Sequence, residues 1–371
     1  MSLETRPSRT PRVLHVAQPQ DGGSIVCAAN LVADQARRGW HVAAATCENE
    51  LSRTTQRCGG TYLPWEASRS PGISVLGETR RLCAIISRFD PDVIHLHSSK
   101  AGLCGRLAIR GRRPTLYQPH GWSFYAVEGL PRQGALGWER FATRWTSTTV
   151  CVSADEKVAG EAHGVCTTWA VIPNGVDAQR WQPASASRRA HARARLGVAR
   201  GTPLVVTVGR LAHSKGIDVL LKAWRMLSVV HPEARLVVVG DGPDREHLDS
   251  TCPQHAELVG AADPTLYLAA GDLFVAPSRW EAGASLAVME AMAQGLPVVA
   301  TRVNGMASIL DERCLVPVGE PDEMVRVISG LLDDPTGRRQ LGKRNRALVE
   351  THRSLTATLA STAELTQLLR C

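Results

Sequence analysis

Two carboxylates offer the most chemistry in this chain. Glu281 closes Pro277-Ser-Arg-Trp-Glu281, and Glu290 lies in Leu286-Ala-Val-Met-Glu290-Ala-Met-Ala. The turn between them, Gly283-Ala284-Ser285-Leu286, leads into a helix whose opening N–H groups have no intrahelical partners and sit at the positive end of the dipole. Such a terminus accepts phosphate, and carboxylates accept from hydroxyls. Together they suit a ligand carrying both, such as a sugar nucleotide. Simple capping and surface solvation would explain the same two acids.

Cations are available upstream. In Val208-Gly-Arg-Leu-Ala-His-Ser-Lys-Gly216, Arg210 and Lys215 follow an apolar run and would hang from a loop at a strand end. They can grip a diphosphate by charge-assisted hydrogen bonds and stabilise charge on a departing phosphate. Two surface cations are the plainer alternative. Gly22-Gly23, directly after the first strand, lets backbone approach a phosphate or hydroxyl closely, though many strand-to-helix turns use glycine. No GxGxxG occurs there, which counts against a dinucleotide oxidoreductase.

His95, His97 and His120 end or follow predicted strands. His95 and His97 alternate, so both rings fall on one face with no third ligand in the motif. His95 reads as structural, and no metal site is expected. In Gln118-Pro-His-Gly-Trp122, His120 can present its imidazole to a substrate or serve packing alone.

These residues need strands to carry them. Val13–Ala17, Val42–Thr46, Val93–His97, Thr149–Ser153 and Ala170–Pro173 are apolar runs in the first half. Leu204–Val208, Leu236–Val239, Leu273–Ala276 and Val298–Ala300 serve the second. Continuous rather than alternating apolarity predicts strands buried on both faces, hence parallel sheets covered by helices. Ile25, Ala28, Ala29, Val32 and Ala36 form a helical stripe, with Gly39 as its stop. The strand, Gly-rich turn and helix pattern restarts at Leu204. The fold class is therefore α/β, with two Rossmann-like, doubly wound parallel-sheet domains expected to face a cleft. Their boundary is placed between Val176 and Pro183, after the Asn-Gly turn of Pro173-Asn-Gly-Val-Asp177.

Composition narrows the class. The chain has 371 residues, enough for two cores, and 44% hydrophobic with 21% charged residues is globular. Its polar first dozen residues predict neither an export signal nor a membrane span, and ten cysteines without CxxC pairs suit reduced thiols in the cytoplasm. A net charge of +8 suits a polyphosphate ligand, nucleic acid or an anionic membrane face. The basic run Arg188–Arg195 has no interleaved aromatics for stacking on bases, so it reads as a solvated helix and nucleic acid is not expected as a partner.

The set of motifs resembles the family-four glycosyltransferases of the GT-B fold. It comprises Gly22-Gly23, Asp92-Val-Ile-His-Leu-His97, His120-Gly121, Val171-Ile-Pro-Asn-Gly-Val-Asp177, Gly209-Arg-Leu with Lys215-Gly216, Gly240-Asp-Gly-Pro243 and the Pro277 to Ala293 block with its two glutamates. That resemblance implies a retaining, metal-independent transferase. It would use a nucleoside-diphosphate sugar as co-substrate and no resident cofactor. It implies an acceptor-binding domain at 1–178, a donor-binding domain at 179–350 and a terminal helix at 351–371 that crosses back, with Leu355 to Leu369 as its core. Arg210 and Lys215 would bind the diphosphate and Glu290 the ribose. Glu281 and the turn Gly283, Ala284, Ser285 and Leu286 would hold donor sugar and phosphate, and Val259 would flank the base. His120 would lie beside the transferred sugar, with Gly22 and Gly23 bordering phosphate and acceptor. His120, Arg210, Lys215 and Glu281 are the expected catalytic residues.

One spacing departs from the family pattern. Glu281 and Glu290 enclose eight residues, one more than usual, so a strict count backward lands on Ala282. A one-residue bulge at Gly283 would still bring Glu281 to the sugar. The acceptor stays open among saccharide, small molecule and lipid-linked forms, with peripheral membrane contact in the last case. Trp122-Ser-Phe-Tyr-Ala-Val-Glu-Gly-Leu-Pro131, with Trp138 and Trp145, reads as an acceptor wall whose aromatic faces stack on sugar rings, with simple packing of a helix as the alternative. A GT-B epimerase or phosphorylase and a non-catalytic nucleotide-sugar scaffold are the alternatives.

Overall fold

The computed structural model describes residues 10–18, 20–68 and 71–370. The chain divides into two units, one running to Ile172 and taking up the segment from Thr358 onward, the other spanning Pro173–Ala357.

The first unit holds seven strands, all parallel: β1 Arg12–Ala17, β2 His41–Thr46, β3 Thr61–Pro64, β4 Val93–His97, β5 Thr115–Gln118, β6 Thr148–Cys151 and β7 Trp169–Val171. Their order is β3-β2-β1-β4-β5-β6-β7. β4 is buried at every residue, as its unbroken apolar run requires of a central strand covered on both sides. Alternate residues feed two cores. Leu14, Val16, Ile94 and Leu96 pack on one face, while Val13 and Ala17 face the helix Gly23–Arg37 through Ile25, Ala28, Ala29 and Val32. Leu365 and Leu369, in and just beyond the final helix Leu355–Leu368, pack with Val93, Leu116 and Val150.

The second unit repeats the plan with six parallel strands: β8 Leu204–Val208, β9 Arg235–Val239, β10 Ala256–Gly260, β11 Leu273–Ala276, β12 Val298–Thr301 and β13 Leu315–Val316. Their order is β10-β9-β8-β11-β12-β13. Again two apolar layers sandwich the sheet. In both units the order reverses beside the first strand, between β1 and β4 and between β8 and β11. Loops leaving such neighbours diverge and open a crevice at the carboxyl ends, where α/β sheets bind ligands.

Two sequence readings need correction. The Arg188–Arg195 run is more than a solvated face: on the helix Ala186–Arg195, Arg189 and Arg193 pair with Asp272 at 2.7 and 3.1 Å. Asp272 also accepts from the Leu204 N–H at 2.9 Å, so the arginines anchor the start of β8. The aromatic segment after His120 is not an open wall at its start. Trp122 is 2% and Phe124 0% exposed, and their rings stack within the core. Only the stretch beyond, with Tyr125, Val127 and Leu130, faces outward.

Candidate functional site

In the second unit the predicted donor residues gather on the loops that leave β8 and β11. The loop after β8 ends in a short turn, His213–Lys215, closed by Gly216 in a left-handed conformation at φ 61°. A Cβ on Gly216 would lie 2.1 Å from the Pro277 carbonyl oxygen, so glycine permits the two loops to touch. Their contact is then locked twice. Arg279 donates its main-chain N–H to the Ser214 carbonyl at 2.8 Å, and its guanidinium grips both Asp218 oxygens at 2.7 Å each. That fork holds the Asp218 carboxyl below the usual aspartate range.

The lock brings Lys215 and Glu281 together. Lys215 Nζ donates to Glu281 Oε1, which also accepts from Ser278 Oγ at 2.8 Å. Glu281 is therefore placed beside the loop cation despite the longer spacing to Glu290. Arg210 lies half-buried on the same loop. On the β11 side, Gly283 and Ala284 are buried, and Ser285 caps the helix Leu286–Ala293 by accepting from the Val288 N–H at 3.3 Å. The helix therefore starts at the switch point with its dipole positive there. Glu290 stands one turn in. Burial, opposed by the Arg180 charge, pushes its carboxyl up to about 7.

Val259 lies near the end of β10 and packs partly against the core. The adjoining Gly240, at φ 142°, donates its N–H to the Gly260 carbonyl at 2.8 Å. A Cβ there would meet the Gly209 oxygen at 1.9 Å, so the loops after β8 and β9 press backbone on backbone. This is why Gly240-Asp-Gly-Pro243 carries glycine where it does.

In the first unit, Gly22 caps the helix Gly23–Arg37 at φ 100°, a conformation that favours glycine, and both glycines are exposed. His120 and Gly121 have φ 52° and 108°. A buried carboxylate, not singled out by the motifs, holds this turn: Glu156 accepts from Gly121 N at 2.7 Å and Val152 N at 2.8 Å. Its carbonyl accepts from Trp122 Nε1 at 2.7 Å. Burial pushes the Glu156 carboxyl up to about 7 despite those donors.

The fold also supplies a partner that the His95-His97 motif lacks on its own. Strand β1 pairs with β4 so that His15 lies opposite His95 and Ala17 opposite His97. All three rings are fully buried, and their ligand atoms lie within 4.8 Å of one another. His15 Nδ1 lies 3.0 Å from His97 Nε2, and His97 Nδ1 lies 3.3 Å from His120 Nε2. Burial drives His15 and His120 down to about 4 and His95 and His97 well below their usual range, so all four are neutral near pH 7. Reading β1 with a period of two puts His15 on one face with Val13 and Ala17, and only the strand order and register show that His95 and His97 share that face.

Two parallel, doubly wound α/β units in one chain are the architecture of the GT-B fold. The fold matches HepE of Anabaena, solved with UDP and glucose, at a TM-score of 0.84 and 20% identity over 96% of this chain and 99% of that one. It matches the sucrose-phosphate synthase of Thermosynechococcus elongatus at 0.81 and 23% identity over 97% and 99%. Residues 21–180 match the description Glycosyltransferase Family 4, and residues 202–334 match Glycosyl transferases group 1. Over 67% of its length and 68% of the relative's, the chain is 32% identical to the GDP-mannose-dependent alpha-mannosyltransferase of Mycobacterium tuberculosis. It is 29% identical, over 66% and 67%, to the Escherichia coli UDP-Gal:alpha-D-GlcNAc-diphosphoundecaprenol alpha-1,3-galactosyltransferase. It spans only 53% of a Corynebacterium glutamicum phosphatidylinositol monomannoside mannosyltransferase, at 30% identity. The chain belongs to glycosyltransferase family four.

Proposed function

We propose that this enzyme transfers a sugar from a nucleoside-diphosphate donor to a hydroxyl of a lipid-linked saccharide, with retention at the anomeric carbon and without a metal ion. The observation that carries this reading is the Lys215–Glu281 contact beside the capped helix at the second unit's switch point. A diphosphate arriving there offers Lys215 a stronger acceptor than Glu281 and frees that carboxylate for sugar hydroxyls. Lys215 and Arg210 would then stabilise the charge growing on the departing phosphate. The acceptor hydroxyl attacks from the same face, and the leaving phosphate oxygen takes its proton. Glu290 would receive the ribose hydroxyls.

The lipid-linked acceptor is supported by two relatives named for lipid-linked acceptors, a GlcNAc-diphosphoundecaprenol and a phosphatidylinositol monomannoside. It is supported as well by apolar side chains that the first unit exposes, Ile73 at 95%, Leu76 at 70% and Leu130 at 86%. Among the described residues no helix is long and apolar enough to cross a membrane, so contact would be peripheral.

The test begins with a thermal-shift panel of nucleoside diphosphates and their sugar conjugates in EDTA. One base should stand out, since only ligands that bind the folded state raise the midpoint. Proton NMR of the product then gives the anomeric configuration. Inversion at the anomeric carbon, or donor turnover without any acceptor, would overturn the mechanism. Salt-sensitive binding to anionic vesicles is expected of the Leu130-bearing face, and its absence at low salt would remove the lipid-linked acceptor.

A further inference from the structure

The buried histidines of the first unit form a line rather than a heap. Gln35, on the helix Gly23–Arg37, directs Oε1 at His15 Nε2 across 2.9 Å. With its oxygen toward the ring the Gln35 amide only accepts, so His15 carries its proton on Nε2 and its Nδ1 is a lone pair; Gln35 Nε2 is buried without a hydrogen bond, and the reversed amide, which would run every bond the other way, is the alternative that the tautomers decide. His97 Nε2, 3.0 Å away, must then donate to it. His97 Nδ1 becomes an acceptor in turn, and His120 Nε2 donates to it at 3.3 Å.

Ring geometry agrees. The His15 and His97 centroids are 5.3 Å apart at 13°, and those of His97 and His120 are 5.6 Å apart at 27°. Each separation exceeds its N···N distance by the same amount, two imidazole radii, so the rings meet head to head and nearly in plane. Lone pairs aimed at one another hold a proton between them. A shared metal ion would instead need them to converge on a third point about 2 Å from each nitrogen. His95 packs flat on His97 at 4.0 Å and stands outside the line.

We propose that Gln35, His15 and His97 form a one-way hydrogen-bond relay that fixes the proton of His120 on Nε2, leaving Nδ1 as a pure acceptor at the half-buried end of the line. Gln35, His15 and His97 are positioning residues; only His120 reaches the surface. If the transferase reading holds, the group His120 receives is a hydroxyl that donates. A substrate bearing only an acceptor at that position, a deoxyfluoro sugar for instance, would bind less well.

The relay can be tested without any substrate. Full-length protein labelled with ¹⁵N-histidine gives two-bond ring correlations that distinguish Nε2–H from Nδ1–H and from imidazolium, with His15→Asn, His97→Asn and His120→Asn providing assignments. Near pH 7, His15, His97 and His120 should all be Nε2–H. Gln35→Met, which removes the acceptor but fills its space, should leave His120 divided between tautomers. Transfer should then fall about two- to tenfold in kcat/KM, because only the competent fraction binds productively. A wild-type His97 or His120 protonated on Nδ1, or a His120 pattern unchanged by Gln35→Met, overturns the relay. If that variant fails to fold, the wild-type tautomers decide alone. The expected tautomers in a protein inert toward every donor would sink the transferase reading and leave the relay standing.

Discussion

At the scale of single residues the second unit's site turns on two carboxylates in unlike surroundings. Glu281 rests against Lys215 and Ser278, whereas burial raises the Glu290 carboxyl to about 7. Only ionised Glu290 is a full acceptor for ribose hydroxyls, so donor affinity should strengthen as pH rises from about 6 to 8. Calorimetric titration of the donor identified by thermal shift checks this, and Glu290→Gln should flatten the profile. A steep wild-type rise that persists in Glu290→Gln would assign it to another group. Lys215→Ala removes a charge-assisted contact at a developing charge, so kcat should fall by well over about tenfold. Wild-type turnover in the purified variant would remove Lys215 from the reaction.

At the scale of elements, the site exists because two loops are held at touching distance. Gly216 and Gly197 separate the causes of that contact. Both have left-handed backbone, at φ 61° and 59°, but a Cβ at Gly216 meets Pro277 O while one at Gly197 meets nothing within 4 Å. Gly197→Ala should therefore cost only conformational strain, about 1 kcal/mol. Gly216→Ala should cost more and also displace the 277–281 loop, weakening donor binding at least about tenfold. Equal losses of affinity in the two variants would show that the loop contact does not shape the site. This contact was half legible in sequence. Most inner strands were readable because their apolar runs are unbroken, and so were the loops that follow them; β5 was not, since Thr115–Gln118 is buried throughout yet begins and ends in polar residues. Nor were β3, β10 and β13, since Thr61–Pro64 and Ala256–Gly260 are short sheet-edge segments with polar or small residues and only partial burial, and Leu315–Val316 is two residues long. His15, Gln35 and Glu156 stayed hidden for another reason. Their roles depend on which strands are neighbours and which helix covers them, and no local spacing encodes that. The Trp122 segment misled because aromatic residues serve cores as readily as binding walls.

At the scale of the whole molecule, the two units have separate cores and should respond differently to acid and to ligand. His15, His95, His97 and His120 all belong to the first unit and are held neutral by burial, His15 and His120 down to about 4. Their folded pKa values lie below the unfolded value near 6.5. The stability they permit is therefore complete above about pH 6.5 and is lost as pH falls toward 4, because the unfolded chain then binds protons that the folded one refuses. Four such groups alone would give a slope of about 5 kcal/mol per pH unit at its steepest, and Glu156, raised to about 7 in the same unit, binds a proton in the folded state over that range and cuts it to about 4. The donor loops, by contrast, all lie in the second unit. Calorimetric scans should thus show an acid-sensitive transition that moves down between pH 7.5 and 5, and a second that moves up with nucleoside diphosphate. His95→Leu provides the internal control. Neither nitrogen of His95 meets hydrogen-bonding geometry, although the Gln118 side chain lies near enough to oppose the effect of burial, so an apolar replacement should cost little near neutrality and remove about a quarter of the histidine contribution to the acid slope. A slope untouched by His95→Leu would place the acid sensitivity elsewhere, and a single transition shifted equally by acid and nucleotide would show that the units unfold as one.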